Sequence, residues 1–192
     1  QWMYPDVPEQ EIPISAITNG IHVQTWISHD MATLLDRYLN PAWRTDVNNK
    51  TIWQDVDLVP DGELWRTHER RRERLVAFTR VRLREQLERR GVTQSELRSA
   101  EEVLNPDALI IGFARRFATY KRATLIFSDM ERLKRLVNDS DRPVQFIFAG
   151  KAHPHDEQGK ALIRTIVNMA RDPDLRHSIV FLENYDMQIA RY

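Results

Sequence analysis

The chain has 192 residues with 28 Lys+Arg against 28 Asp+Glu, so its formal net charge is zero and no global field draws it to nucleic acid. It contains no cysteine, which excludes a disulfide framework and thiolate chemistry and fits a cytoplasmic location. No apolar run approaches the roughly 18 residues of a membrane span and no signal-peptide pattern is present, so the expectation is a soluble chain without membrane partners.

Residues 1–60 form a Pro- and Trp-rich segment, with Trp26, Pro41, Trp43, Trp53 and Pro60 among its landmarks. It reads as irregular interdomain chain with one short helix over His29–Leu39, stopped by Pro41. Residues 61–104 read as a long helix and a connector. The helix is predicted over Glu63–Arg90 and is ended by Gly91 as a C-cap signal; Trp65, Val76, Leu83 and Leu87 recur at helical spacing as its buried stripe. Glu69, Glu73, Glu85 and Glu88 alternate with the arginines, which permits i,i+4 pairing and argues against DNA binding. Thr93-Gln-Ser-Glu96 then opens a short further helix.

From Asn105 the pattern becomes regular. Strands are predicted at 108–114, 144–149 and 178–182, with helices at 121–137, 157–170 and from about Asp186. Each strand is a short continuous apolar run, the kind buried on both faces. Three strand-helix alternations of that kind predict an α/β fold: a parallel sheet with helices on both faces.

The run Gly112-Phe-Ala-Arg-Arg-Phe-Ala-Thr-Tyr-Lys-Arg122 puts four cations around the first strand-to-helix turn. Arg115 and Arg116 leave the carboxyl end of the strand, and Lys121 and Arg122 are predicted in the first helical turn. Bare cations there oppose the helix dipole by about 0.3–1 kcal/mol each, whereas a bound phosphate or carboxylate reverses the sign. The cluster reads as an anion site, against the alternatives of a solvated basic face or salt bridges to Asp129 and Glu131. Gly150-Lys-Ala-His153 and Glu183-Asn-Tyr185 follow the other two strands, so three polar groups of residues converge where open α/β sheets collect ligands. There is no glycine-rich nucleotide cradle. His153-Pro-His155-Asp156 lacks a third clustered histidine, and no metal site is expected.

Four segments together carry a family resemblance: Thr18-Asn-Gly-Ile-His-Val-Gln-Thr-Trp26, Arg115-Arg-Phe-Ala-Thr-Tyr-Lys-Arg122, Gly150-Lys-Ala-His-Pro154 and Phe181-Leu-Glu-Asn-Tyr185. In order and spacing the chain resembles an internal stretch of the α-glucan (glycogen, starch or maltodextrin) phosphorylases. The wording is similar to the shorter bacterial and archaeal branch; animal members have Lys-Arg where this chain has Arg115-Arg116. The resemblance implies that residues 105–192 are the first half of a Rossmann-like domain, part of the C-terminal domain of a GT-B architecture. It also implies a reaction, the reversible phosphorolysis of the non-reducing end of an α-1,4-glucan by inorganic phosphate to α-glucose 1-phosphate. The implied cofactor is pyridoxal phosphate, whose phosphate acts as the acid/base.

Two phosphates then sit close together. Two like unit charges about 6 Å apart repel by about 3 kcal/mol at an effective dielectric near 20, so fixed cations are needed to offset them. By position, Arg116 matches the arginine that grips the substrate phosphate, and Lys121 the lysine between substrate and cofactor phosphates. Arg115 falls where the family directs a cation at the cofactor phosphate, and Tyr185 matches a tyrosine beside it. Asn19 matches an asparagine that hydrogen-bonds the bound glucosyl unit, with Gly20 letting the backbone come close. The family's cofactor-binding lysine is expected beyond Tyr192, and the chain reads as a piece of a longer parent, inactive by itself, with a homo-oligomeric parent left open. Rival readings are a sugar-nucleotide-dependent glucosyltransferase of the same architecture, a non-catalytic phosphate- or sugar-binding module, and a fragment whose charges only pair with one another.

Overall fold

Three parallel strands organise the second half of the molecule. In the computed structural model, which describes residues 4–192, β1 (Leu109–Ala114), β2 (Val144–Ala149) and β3 (Ile179–Leu182) lie side by side in that order. The first three residues of the Pro/Trp-rich segment lie outside the described residues. Ala114 is level with Ala149, and Ala149 with Leu182, so all three strands deliver their chains to one rim of the sheet.

Alternation along β2 builds two cores, because successive side chains point to opposite faces. Phe146 and Phe148 enter a core with Phe117, Leu133 and Val137 of α5 (Met130–Val137), and Ile166 of α6 (Glu157–Met169). Ile147 and Ala149 enter the other, with Val180 and Leu182 of β3, Val76 of α3 (Asp61–Arg89), and Ile189 of α7 (Met187–Ala190). Phe148 is 1% exposed; a fully buried side chain of this kind contributes about 1.5–3 kcal/mol. The expected α/β architecture, with helices on both faces of a parallel sheet, is present.

The buried stripe of α3 differs from the expected one. Thr67, Val76, Thr79 and Gln86 are buried, Leu83 and Leu87 are half-buried, and Trp65 is 56% exposed. The helix has two different neighbours along its length, which a single periodic stripe cannot anticipate. Its first turns meet α2 (His29–Tyr38), where Tyr38 donates to Glu63 and Arg74 pairs with Asp30. From Leu75 onward it covers the sheet. The Gln86 amide is bonded to β3 itself, donating to the Phe181 carbonyl (3.1 Å) and accepting from the Glu183 N–H (2.9 Å).

The short helix α4 (Gln94–Glu102) follows, started by a capping box between Thr93 and Glu96. Leu104 then turns the chain through φ 61° into the core, with its carbonyl and that of Val103 accepting from the Arg80 guanidinium. In the first 60 residues, α1 (Val23–Trp26) and α2 share a small core of their own, centred on the fully buried Trp43, whose indole N–H donates to Asp36. Trp43 and Trp53 are therefore packing residues.

β1 departs from its sequence reading. Its apolar run is that of an interior strand, yet it has one neighbour and forms the edge of the sheet, leaving Leu109 60% and Ile111 44% exposed. An apolar parallel edge is a template for further pairing. The isolated chain is expected to self-associate at concentrations of about tens of micromolar and upward, and Ile111→Lys to shift it toward monomer in sedimentation velocity. Equal association of the two proteins would show that this edge is not the contact.

Candidate functional site

The basic run begins as an extension of the sheet. Beyond Ala114, the Arg115 N–H donates to the Ala149 carbonyl (3.1 Å) and the Phe117 N–H to the Lys151 carbonyl (3.1 Å). Phe117 is 0% exposed and packs between Phe113 and Phe181, with ring centroids 5.6 and 5.8 Å away. It anchors the loop by inserting an aromatic side chain into the core beneath two exposed arginines. Glycine is required on both sides of that anchor. A Cβ at Gly150 would overlap the Arg115 carbonyl and the Phe117 ring, and one at Gly159 would lie 2.7 Å from the Phe117 carbonyl. Phe117, Gly150 and Gly159 thus set the course of the segment, a role that neither composition nor spacing revealed. The available signals were an aromatic residue in the middle of a cationic run and a glycine inside a helical pattern.

The predicted helix over 121–137 is not continuous. Thr119–Lys121 form a single 3-10 turn, Arg122 adopts a left-handed conformation (φ 54°), Leu125–Ser128 form another 3-10 turn, and α5 begins only at Met130. The left-handed residue breaks the helical path, and Asp129 supplies a proper N-cap by accepting from the Arg132 N–H (2.9 Å). Lys121 and Arg122 therefore do not occupy a helix N-terminus, and the dipole argument for them fails. The cations instead lie along a loop of 3-10 turns and one left-handed residue. A non-glycine residue in the left-handed region costs of order 1–3 kcal/mol and is characteristic of segments shaped for a purpose. Asn184, at the corresponding exit of β3, is also left-handed (φ 54°).

Arg115 and Arg116 are exposed and Lys121 is half-buried, its ammonium 4.6 Å from the centroid of the Tyr120 ring. Among the described residues, no ion pair or side-chain hydrogen bond involves Arg115, Arg116, Lys121, Arg122 or Lys151. The carboxylate of Asp129 is engaged at its own helix cap, Glu131 pairs with none of the cations, and Glu183, at the end of β3, is held by Arg90. The salt-bridge alternative for the cluster is thereby removed. Tyr185 is half-buried against the core beneath the rim.

Asn19 and Gly20 are not joined to this rim by any described hydrogen bond. They lie on an exposed irregular stretch, with nothing within 4 Å of a Cβ built at Gly20. The rings of His153 and His155 lie 5.6 Å apart, and no group of three metal-ligating side chains occurs among the described residues. No helix among them is long and apolar enough to cross a membrane.

Comparison with known proteins agrees with the family resemblance. The family model for carbohydrate phosphorylases matches residues 8–192. The chain is similar to a maltodextrin phosphorylase of Thermococcus litoralis, with 43% identity over 98% of this chain and 22% of that protein. It is 45% identical to a glycogen phosphorylase of Aquifex aeolicus, over 96% of this chain and 27% of the relative. Against a glycogen phosphorylase of Mycobacterium tuberculosis the identity is 42%, over 94% of this chain and 21% of the relative. The chain thus spans between 21% and 27% of the length of these relatives. With a family match over nearly all its residues and relatives at 42–45% identity, this chain belongs to the carbohydrate phosphorylases.

Proposed function

We propose that this chain is the phosphate-binding portion of an α-glucan phosphorylase, which transfers the terminal glucosyl unit of an α-1,4-glucan to inorganic phosphate and releases α-glucose 1-phosphate. The observation that carries this reading is the group of cations leaving β1, held on a glycine-clamped loop and left without carboxylate partners. Fixed cations with no partner of their own favour a multiply charged anion, because their attraction is not already satisfied within the protein.

In this reading Arg116 binds the substrate phosphate, where a planar guanidinium offers two parallel N–H donors to two oxygens. Lys121 balances the negative charge of the substrate and cofactor phosphates, and Arg115 faces the cofactor phosphate. Tyr185 offers a phenolic hydroxyl beside that phosphate. Asn19, with Gly20, binds a hydroxyl of the glucosyl unit when the rest of the enzyme closes over the sugar. The donor set of two guanidiniums, an ammonium and a phenol suits the phosphate of pyridoxal phosphate, and the cluster's unpaired state supports that fit. When bound, pyridoxal phosphate supplies a phosphate that donates a proton to, and accepts one from, the substrate phosphate. The cations of the rim lower the cost of bringing two phosphates together and hold their protonation states in a useful range. A cytoplasmic location, where glucan and phosphate are both at hand, belongs to the same proposal.

The complete protein is expected to release α-glucose 1-phosphate from a maltodextrin and inorganic phosphate, whereas the 192-residue chain alone releases none. Coupled assay of glucose 1-phosphate on both proteins checks this. Absence of product from the complete protein loaded with pyridoxal phosphate would refute the reading.

A further inference from the structure

The outer edge of β3, the sheet edge away from β1, borders a cavity of about 330 Å³. Its walls include Leu83 of α3, Val103, Val167 of α6 and Ile179, and Arg171 and Arg176 stand at its mouth on the connection between α6 and β3.

The strand edge itself limits what the cavity can hold. Ser178 and Leu182 accept from β2 through their carbonyls, so alternation turns the N–H and C=O groups of Ile179 and Phe181 outward. The outward groups on either side are already engaged. The His177 carbonyl accepts from the Leu104 N–H (2.8 Å), the Ile179 N–H donates to the Leu175 carbonyl (2.9 Å), and Gln86 bonds the Phe181 carbonyl and the Glu183 N–H. Among the described residues, the Ile179 carbonyl and the Phe181 N–H have no partner, leaving one acceptor and one donor on the cavity side. An added β-strand needs pairing repeated along the edge. A gap one residue pair long admits a small molecule instead, and the volume falls in the range of small-ligand sites.

The charges at the mouth select among small molecules. Of the four charged residues lining the cavity, Arg90 is held by Glu183, and Glu96 is engaged by Thr93 in the capping box. Arg171 and Arg176 make no ion pair among the described residues. Two guanidiniums outside any direct ion pair, with Arg171 adding to the Thr93 hydrogen bonds that hold the Glu96 carboxyl below its usual range, stand beside an apolar chamber with one N–H donor and match an amphiphilic anion.

We propose that this cavity binds a compact carboxylate with an aromatic or branched apolar body. Its carboxylate pairs with Arg171 and Arg176, its body occupies the space between α3 and α6, and the Phe181 N–H donates to an acceptor on it.

The probe is 2-naphthoate, titrated against the 192-residue chain at low micromolar concentration and read by hydrogen-exchange mass spectrometry of peptides covering residues 178–183. Saturable protection of this segment in the submillimolar range is expected. Arg171→Ala and Arg176→Ala, both at exposed positions, should each weaken it about tenfold without changing the Tm. The neutral 2-naphthylmethanol should bind at least about tenfold more weakly than the acid. Lack of protection up to about 5 mM overturns the proposal. So does indifference of binding to both arginine substitutions, and so does equal binding of the acid and the alcohol, which would mark the cavity as an apolar seat for another part of a protein.

Discussion

Lys121→Ala in the complete phosphorylase is expected to lower kcat by about 10²–10³-fold while leaving the KM for glucan within about threefold of the parent value. Lys121 stands on the basic loop with its ammonium close to the Tyr120 ring and without a carboxylate partner, so its charge is available to phosphate. Charge that increases toward the transition state is where a fixed cation contributes most, and sugar hydroxyls some distance along the glucan do not sense it. Steady-state kinetics with glucan and phosphate varied in turn separate the two effects. A rate equal to that of the unaltered enzyme would take Lys121 out of the mechanism. A KM for glucan that rises in step with the fall in kcat would assign it to sugar binding instead.

Gly150→Ala is expected to damage both stability and turnover although it adds only one methyl group. The added Cβ would overlap the Arg115 carbonyl and the Phe117 ring, and the ring is fully buried in the core. Overpacking of this kind costs typically 1–3 kcal/mol. Relief requires the 115–117 segment to shift, and a displacement of about 1 Å at a phosphate-binding group can cost about 10²-fold in rate. Urea unfolding of the 192-residue chain and kcat of the complete enzyme test the two halves of this expectation. Gly112→Ala is the matched control, since nothing lies within 4 Å of a Cβ at that position. Comparable loss in both variants would mean that glycine in the sheet, and not the clamp on Phe117, is responsible.

The strands were the most legible part of the chain. Val144–Ala149 is a run of apolar residues with a single glutamine, and its boundaries in the fold are those of the run. The basic motif was legible as chemistry but not as geometry. A sequence in which Ala123, Leu125, Ile126 and Met130 recur at nearly helical spacing gives no sign that Arg122 is left-handed, because periodicity reports which side chains share a face and not a single backbone reversal. Trp65 shows the complementary limit: periodicity identifies a face of a helix, but which neighbour covers each stretch of it depends on the topology. β1 was correctly read as a strand, and its exposure arises from the number of its neighbours, a property of the assembled sheet. Asn19 was singled out by its motif alone, and its local structure adds no contact to that reading.

At 29 residues α3 is about 43 Å long, and it is fastened near both ends. Its first half is tied by Arg74 and Glu63 to α2, and its last turns grip the outlet of β3 through Gln86 and Arg90. The helix therefore behaves as a strut. A tilt imposed where it meets α2 would be carried to Glu183, two residues from Tyr185, beside the rim proposed to bind phosphate.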